Sequence, residues 1–419
     1  MYENFFLKIP FVTQGLIDNV VGVLLSVGPI FLLLILINIC WKTWLGYKRF
    51  EFITKQNRIL LELRLPKEIK KTPLAMELLL NAIHQTGGEG TWYARDFQGK
   101  ARTWFSLEIV SIGGQVKFFI WTEKFYKNFL ESQIYAQYPG VEIYEVPDYT
   151  KSVQLDFNKV SAWGSEFILT KADPYPIKTY IDYKLDKEGI KDEEKSDPMS
   201  PVIELLGSIE KGEQIWIQIL VRAHKKEYKK SLSFEDKIKK MKWSDKVDWT
   251  DAGKKEILKL AEKSKSEKGE SARMATKGEQ NIIASLERNI DKMAFDCGIR
   301  TMYIAEKEKF NAINVVGTVG SFKQYNSMSL NGFRPNHVTA FDFPWQDYKD
   351  IRASKLKKHM LGLYKRRAYF YFPYRNSNQF VLSSEELATI FHLPGEVVQT
   401  PTFSRVASKK SEPPVDLPF

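Results

Sequence analysis

The sequence predicts an α+β protein. One N-terminal transmembrane helix is followed by a duplicated, ferredoxin-like α+β cytosolic domain with a charged helical insertion. Three observations predict it. Asn19 to Trp41 is a run of 23 residues without a charge. The chain after it alternates strand-like and helix-like periods in the order helix, strand, strand, helix, strand. The segments KFFIWTEKFYKNF, from Lys117, and RTMYIAEKEKFNAI, from Arg300, read as one strand-to-helix corner met twice. The alternative to duplication is two unrelated α/β stretches that share a common grammar.

At about 1.5 Å rise per residue, the apolar run covers roughly 34 Å, enough for a hydrocarbon core of about 30 Å. Lys8 is the only base before it, whereas Lys42, Lys48, Arg49, Lys55 and Arg58 follow. The positive-inside rule therefore expects residues 1–18 outside and the rest in the cytosol, as a single-pass protein of the cytoplasmic (inner) membrane. A secretory signal would have a basic start and a shorter apolar region, and this run follows Glu3 and Asp18. A lipoprotein signal needs a small residue before its cysteine, and Ile39 precedes Cys40. Gly28-Pro29 falls mid-run, which membrane helices tolerate.

The remaining chain has ordinary apolar content and can build a core. Cys40 and Cys297 are the only cysteines, which excludes a disulfide framework or a cysteine zinc site. The net charge of +11 suits anionic inner-leaflet lipid or nucleic acid.

Residues 42–71 read as a juxtamembrane segment with a strand-like run from Ile59 to Leu65. The duplicated domain is expected over 72–344. Thr72-Pro73 opens a helix whose stripe is Met76, Leu79, Leu80 and Ile83. Phe105 to Val110 alternates as a half-buried strand, Ser111 to Gly114 turns, and Val116 to Trp121 returns. Thr122 caps a helix with Phe125, Phe129, Leu130 and Ile134 on its apolar face, ended by Tyr138-Pro139-Gly140 before a strand from Val141 to Val146. In the second half Ile177 to Tyr183 is strand-like, and Asp186 to Asp197 is a charged loop. Ser200-Pro201 opens a helix with Val202, Leu205, Leu206 and Ile209, and Gln214 to Val221 is a strand covered on both faces. Arg300 to Ile304 is a strand, and a helix follows with Phe310, Ile313, Val316 and Phe322.

Residues 223–284 form the insertion, rich in Lys and Glu, with Gly269 to Gly278 expected to be flexible. It reads either as a solvated helical hairpin or as an arm touching phosphates of nucleic acid or lipid. Asn281 to Met293 returns to a packing helix through Ile282, Leu286 and Ile290. Residues 345–399 carry a basic helix, an aromatic strand from Tyr369 to Phe372 and a capped helix. Arg352, Lys355, Lys357, Lys358, His359, Lys365, Arg366 and Arg367 either line a nucleic-acid platform or match the helix dipole. Phe380 to Leu382 is a strand, Ser383 and Glu386 make a capping box, and Pro394-Gly395 ends the helix. Residues 400–419 read as a linker.

Ser384 to Gly395, Thr400-Pro401, Lys409-Lys410, Pro413-Pro414 and Leu417-Pro418, with Glu131 to Ile143 and Gly212 to Arg222, carry a resemblance. Together they resemble the membrane-proximal region of bacterial type IV secretion and conjugative coupling-protein-like, HerA-related proteins. In that family such text precedes a P-loop ATPase domain. This sequence departs from it, because no G-x-x-x-x-G-K-[ST] is present. Gly317, Gly320 and Lys323 lack the spacing that wraps a phosphate.

The five histidines show no metal or catalytic spacing, and no nucleophile elbow is present. No catalytic residue, cofactor or metal is therefore expected. The resemblance implies a non-catalytic adaptor that anchors a separately encoded translocation ATPase, docked through Glu385, Glu386, Leu387, Ile390, Phe391 and His392. Lys48, Arg49, Lys357, Lys358, Lys365, Arg366 and Arg367 are the candidate phosphate or lipid contacts. The partners expected are the lipid bilayer, that ATPase, DNA and a second copy of the chain. The alternative function is a membrane-tethered nucleic-acid binder using 225–277 and 352–367.

Overall fold

A computed structural model describes residues 12–66, 71–186, 196–225, 227–231, 244–263, 276–341, 343–371, 374–376 and 378–395. Residues 1–11 of the N-terminal segment, most of the charged loop, Lys237 to Lys242, residues 269–275, Phe372 and the linker 400–419 lie outside the described residues. The chain divides into two compact units. One joins the residues up to Lys55 with Glu89–Ala101; the other joins Gln56–Gly88 with the chain from Arg102. These limits differ from the expected ones, since 89–101 folds with the apolar helix and 345–395 is built into the main body.

In the first unit, one helix runs Val12–Lys55, through Pro29. It is long and apolar enough to cross a membrane. Ile30 through Ile37 are each more than half exposed, so eight successive apolar side chains have no protein over them. The helix continues past Trp41 into the segment expected to be juxtamembrane. Glu51 stabilises that extension by pairing with Lys48 at 3.1 Å and Lys55 at 2.7 Å, one turn away on either side.

The second unit is α+β around one antiparallel sheet. Its first half is β1 (Arg58–Arg64), the helix Leu74–Ile83, β2 (Phe105–Ile112), β3 (Gln115–Glu123), the helix Lys127–Gln137 and β4 (Glu142–Val146). Its second half opens with β5 (Val160–Leu169), the helix Ser200–Ser208 and β6 (Glu213–Ala223). The insertion then contributes the hairpin of β7 (Glu227–Ser231) and β8 (Ser244–Val247), and the helices Trp249–Lys263 and Lys277–Ile290. The second helix carries a capping box, Thr276 with Glu279. β9 (Ala294–Glu306), the helix Ala312–Gly320 and β10 (Phe333–Asn336) complete the half. The sheet order is β10-β5-β9-β6-β2-β3-β1-β4. Each half therefore sets its strands in the order fourth, first, third, second, and the halves meet along β2 and β6.

The C-terminal elements close both faces of this sheet. β11 (Phe380–Ser383) pairs with β9 from Phe380↔Cys297 to Ser383↔Ala294, beyond the stretch of β9 that β5 covers. The helix Ser384–Ile390 joins the helices over the core face, where Met76, Leu79, Leu80 and Ile83 form the buried stripe expected of them. The basic helix Ile351–Arg366 and Tyr369 to Tyr371 belong to the other face. Gly298 permits this closeness, because a Cβ there would fall 2.3 Å from the Tyr369 ring.

Several expectations are corrected. β2 is buried on both faces from Phe105 to Ser111 rather than half-buried, because the C-terminal region covers the face that should have met water. Ile177 to Tyr183 is a series of turns, and the strand lies earlier, at β5. Tyr369 to Tyr371 is buried but irregular, not a strand. Of the apolar face expected after Thr122, only Leu130 and Ile134 are buried, while Phe125 lies on a 3₁₀ turn and is exposed. Thr122 caps nothing; the 3₁₀ turn starts after Glu123. Ile313 and Val316 face outward, and Thr318 faces in.

Candidate functional site

Four polar side chains stand in register across the middle of the sheet. Glu108 on β2 is opposite Gln218 on β6, Gln218 is opposite Arg300 on β9, and Arg300 is opposite Glu166 on β5. All four are buried. Neighbouring strands place opposed side chains about 5 Å apart, so such a row either interlocks or is very costly. It interlocks. Gln218 Nε2 donates to Glu108 Oε1 at 3.1 Å, and Arg300 Nη1 donates to Gln218 Oε1 at 3.3 Å. Arg300 Nε and Nη2 donate to Glu166 Oε1 at 3.1 and 2.8 Å.

Each end of the row is tied to the C-terminal region. Arg367 donates to Glu108 at 2.9 and 3.1 Å and also to Asp148. Burial opposes the charge on Asp148, yet the Arg367 guanidinium holds its carboxyl below the usual range. Tyr149 and Ser106 donate to the remaining lone pairs of Glu108, at 2.8 and 2.7 Å. At the other end, Asn376 Nδ2 donates to Glu166 Oε2 at 2.5 Å, and His337 Nδ1 lies 3.2 Å from the same oxygen.

That second end opens into a cleft of about 440 Å³. Glu166, Arg300, His337, His359, Arg375 and Asn376 line it, among others. His337 holds φ at +51°, a left-handed backbone that non-glycine residues adopt at a cost of order 1 kcal/mol. Both Glu166 oxygens are engaged. The lining is otherwise rich in donors and cations, which suits an anionic or acidic group. Among the described residues, no group of three or more His, Cys, Asp or Glu is placed to hold a metal.

The structure separates the residues singled out in the sequence. Glu385, Glu386, Leu387, Ile390, Phe391 and His392 are all buried, so they are not a docking surface. They are core because Ser384–Ile390 packs through every one of its residues. Thr179 Oγ1 donates to Glu385 at 2.6 Å, and His392 Nε2 lies 3.2 Å from Asp197. Arg367 is fully buried in its ion pairs and is no phosphate contact. Lys365 donates to Val153 O at 2.5 Å. Lys358 and Arg366 remain exposed, Lys357 is half-buried, and Lys48 is half-buried beside Glu51. Arg49 is half-buried on the helix Val12–Lys55. Sequence reading missed Glu108, Gln218, Arg300 and Glu166. The available signal was a charged or amide side chain in the interior of each of four strands.

The capping box expected at Ser383 forms with both bonds. Glu386 N–H donates to Ser383 Oγ, and Ser383 N–H donates to Glu386 Oε2 at 2.8 Å. Ile177 N–H also donates to Glu386, at 2.9 Å. Burial pushes this carboxyl up to about 8 from 4.5, against the pull of those donors. A raised folded pKa means that the folded state holds a proton that the unfolded state releases. The contribution is complete below 4.5 and is lost as pH rises through about 8. Glu386→Gln should flatten the fall in melting temperature over that window; an unchanged pH profile would assign the fall to other groups.

A family model described as "Domain of unknown function (DUF8128)" matches residues 46–406. No curated protein matches the chain.

Proposed function

The chain belongs to the DUF8128 family, and from that premise we propose that it is a membrane-anchored adaptor that holds a translocation ATPase at the inner membrane. The reading places the short N-terminus outside and the body in the cytosol. Lys42, Lys48, Arg49, Lys55 and Arg58 on one flank of the apolar run, against Lys8 on the other, support that sidedness. It also takes the body as two ferredoxin-like units joined edge to edge. The shared strand order of the two halves supports this, as does the position of the two similar corners, each leading from a third strand into a helix.

One observation carries the adaptor reading. Residues 343–356 expose a strip of large apolar side chains interleaved with bases. Trp345 is 80% exposed and Tyr348 73%, followed by Ile351, Phe343 and Leu356. Phe343 and Trp345 stack at 4.8 Å, and Arg352 lies 5.0 Å over Phe341. Clusters of exposed aromatics with arginine mark surfaces that bind other proteins. With the tail residues buried, this strip replaces them as the docking face. Leu356 and His359 carry it to the cationic cleft, which would take an acidic side chain of the partner.

The test is a photocrosslinking amino acid at Trp345 in native membranes, with products identified by mass spectrometry. A P-loop ATPase should be captured, and Tyr348→Ser should reduce its yield severalfold without changing the melting temperature. Capture of no ATPase would sink the reading.

A further inference from the structure

The segment Glu89–Ala101 folds with the anchor helix and carries rings that a water-facing loop would not favour. Its short helix Trp92–Asp96 is capped by Thr91, whose Oγ1 accepts from Ala94 N–H at 3.2 Å. Phe97 sets its ring edge against Trp41 at 5.2 Å and against Trp44 at 6.1 Å. It also meets Trp92 at 5.6 Å and stacks on Tyr93 at 5.7 Å. Five rings therefore form one cluster. Trp92 and Tyr93 nonetheless remain 65% and 53% exposed.

We propose that Glu89–Ala101 is a second membrane contact, an aromatic finger that lies in the lipid headgroup interface beside the anchor helix. The proposal rests on the anchor reading and extends it. Trp41 ends the uncharged run, which is where Trp and Tyr gather at a membrane–water boundary, and the finger widens that belt. Gly99 then crosses the helix one level further on. Its φ of +66° excludes most side chains, and a Cβ there would fall 2.6 Å from Lys48 C and 2.7 Å from Arg49 N. Trp41 to Lys48 is about 10 Å along the axis, comparable to the depth of a headgroup layer. The rings thus meet the acyl boundary while Lys48, Arg49 and Lys100 meet phosphates. Charge and continuity with the apolar run select anionic phospholipid as the occupant rather than a second copy of the chain.

The experiment uses the full chain with Cys40→Ser, in vesicles of phosphatidylcholine and phosphatidylglycerol. Cys297 is buried. An environment-sensitive fluorophore is attached in turn at Tyr93→Cys, Leu33→Cys and Met328→Cys, the last at a position 99% exposed in the other unit. Tyr93 should report an apolar setting and be quenched several times more strongly than Met328 by lipids brominated near the headgroup. Adding Gly99→Val should move it back toward water. A Tyr93 signal equal to that of Met328 with Leu33 still apolar would overturn the finger and leave the anchor standing. An aqueous Leu33 would overturn both. An apolar Tyr93 that brominated lipid does not quench would mean a protein interface, and would also overturn the proposal.

Discussion

Arg367→Met is expected to destabilise the body by about 3–5 kcal/mol, whereas Arg366→Ala next to it should change stability by less than about 0.5 kcal/mol. The two arginines are indistinguishable in the sequence but face opposite ways. The helix Ile351–Arg366 ends in a left-handed residue, Arg367 at φ +48°, which turns that one side chain into the body. Arg367 there satisfies Glu108 and Asp148, and removing it leaves Glu108 charged, fully buried and short of its main partner. The large loss comes from that orphaned charge rather than from the pair's own worth. Replacing the network together, as Arg367→Met with Glu108→Gln and Asp148→Asn, should therefore recover most of the loss. Urea denaturation of the four proteins checks the pattern. Equal effects of Arg367→Met and Arg366→Ala would mean that the pair does not hold the helix to the sheet.

The same contrast explains what sequence could and could not supply. The long apolar helix was legible because a run of twenty-three uncharged residues is long enough for little else. β6 and the stripe of Leu74–Ile83 were legible because apolar period alone decides them. The α+β class followed from these alternating periods. β5 was missed because VSAWGSEFIL mixes Ser161, Gly164, Ser165 and Glu166 with apolar residues, so neither alternation nor a continuous run appears. Gly164 and Glu166 are there because the C-terminal region covers the second face of the sheet, with Met360 packed on Gly164 and Glu166 paired to Arg300. Ile177 to Tyr183 has strand-forming residues but lies in turns, where Asp182 accepts from Thr179 N–H at 2.9 Å. The cleft could not be read at all. Its lining comes from residues 166, 300, 337, 359 and 375–376, brought together only by the antiparallel pairing of β5 with β9 and β10 and by the return of the C-terminal helix.

Ending the chain after Gln379 is expected to abolish folding of the body, whereas ending it after Gly395 should leave folding intact. β11, the helix Ser384–Ile390 and the residues just after it supply Leu382, Leu387, Ile390, Phe391 and Leu393 to the core, each at most 3% exposed. Burying a large apolar side chain contributes about 1.5–3 kcal/mol, so these five contribute roughly 8–15 kcal/mol. That equals the whole stability of a typical domain, about 5–15 kcal/mol. The truncation also strips β9 of its β11 edge over Ala294 to Cys297, leaving only β6 there, and leaves Ile177 and Tyr180 N–H groups without Glu386 and Thr389. Near-ultraviolet circular dichroism and limited proteolysis distinguish the outcomes. A chain ending at Gln379 with a native spectrum would show that β11 and its helix are an appendage after all. The expected collapse has a consequence for partner mapping. Loss of an ATPase on deleting everything from Phe380 would report unfolding rather than a missing contact, so the proposed docking face has to be tested by exposed side chains such as Trp345 and Tyr348, whose removal leaves the core untouched.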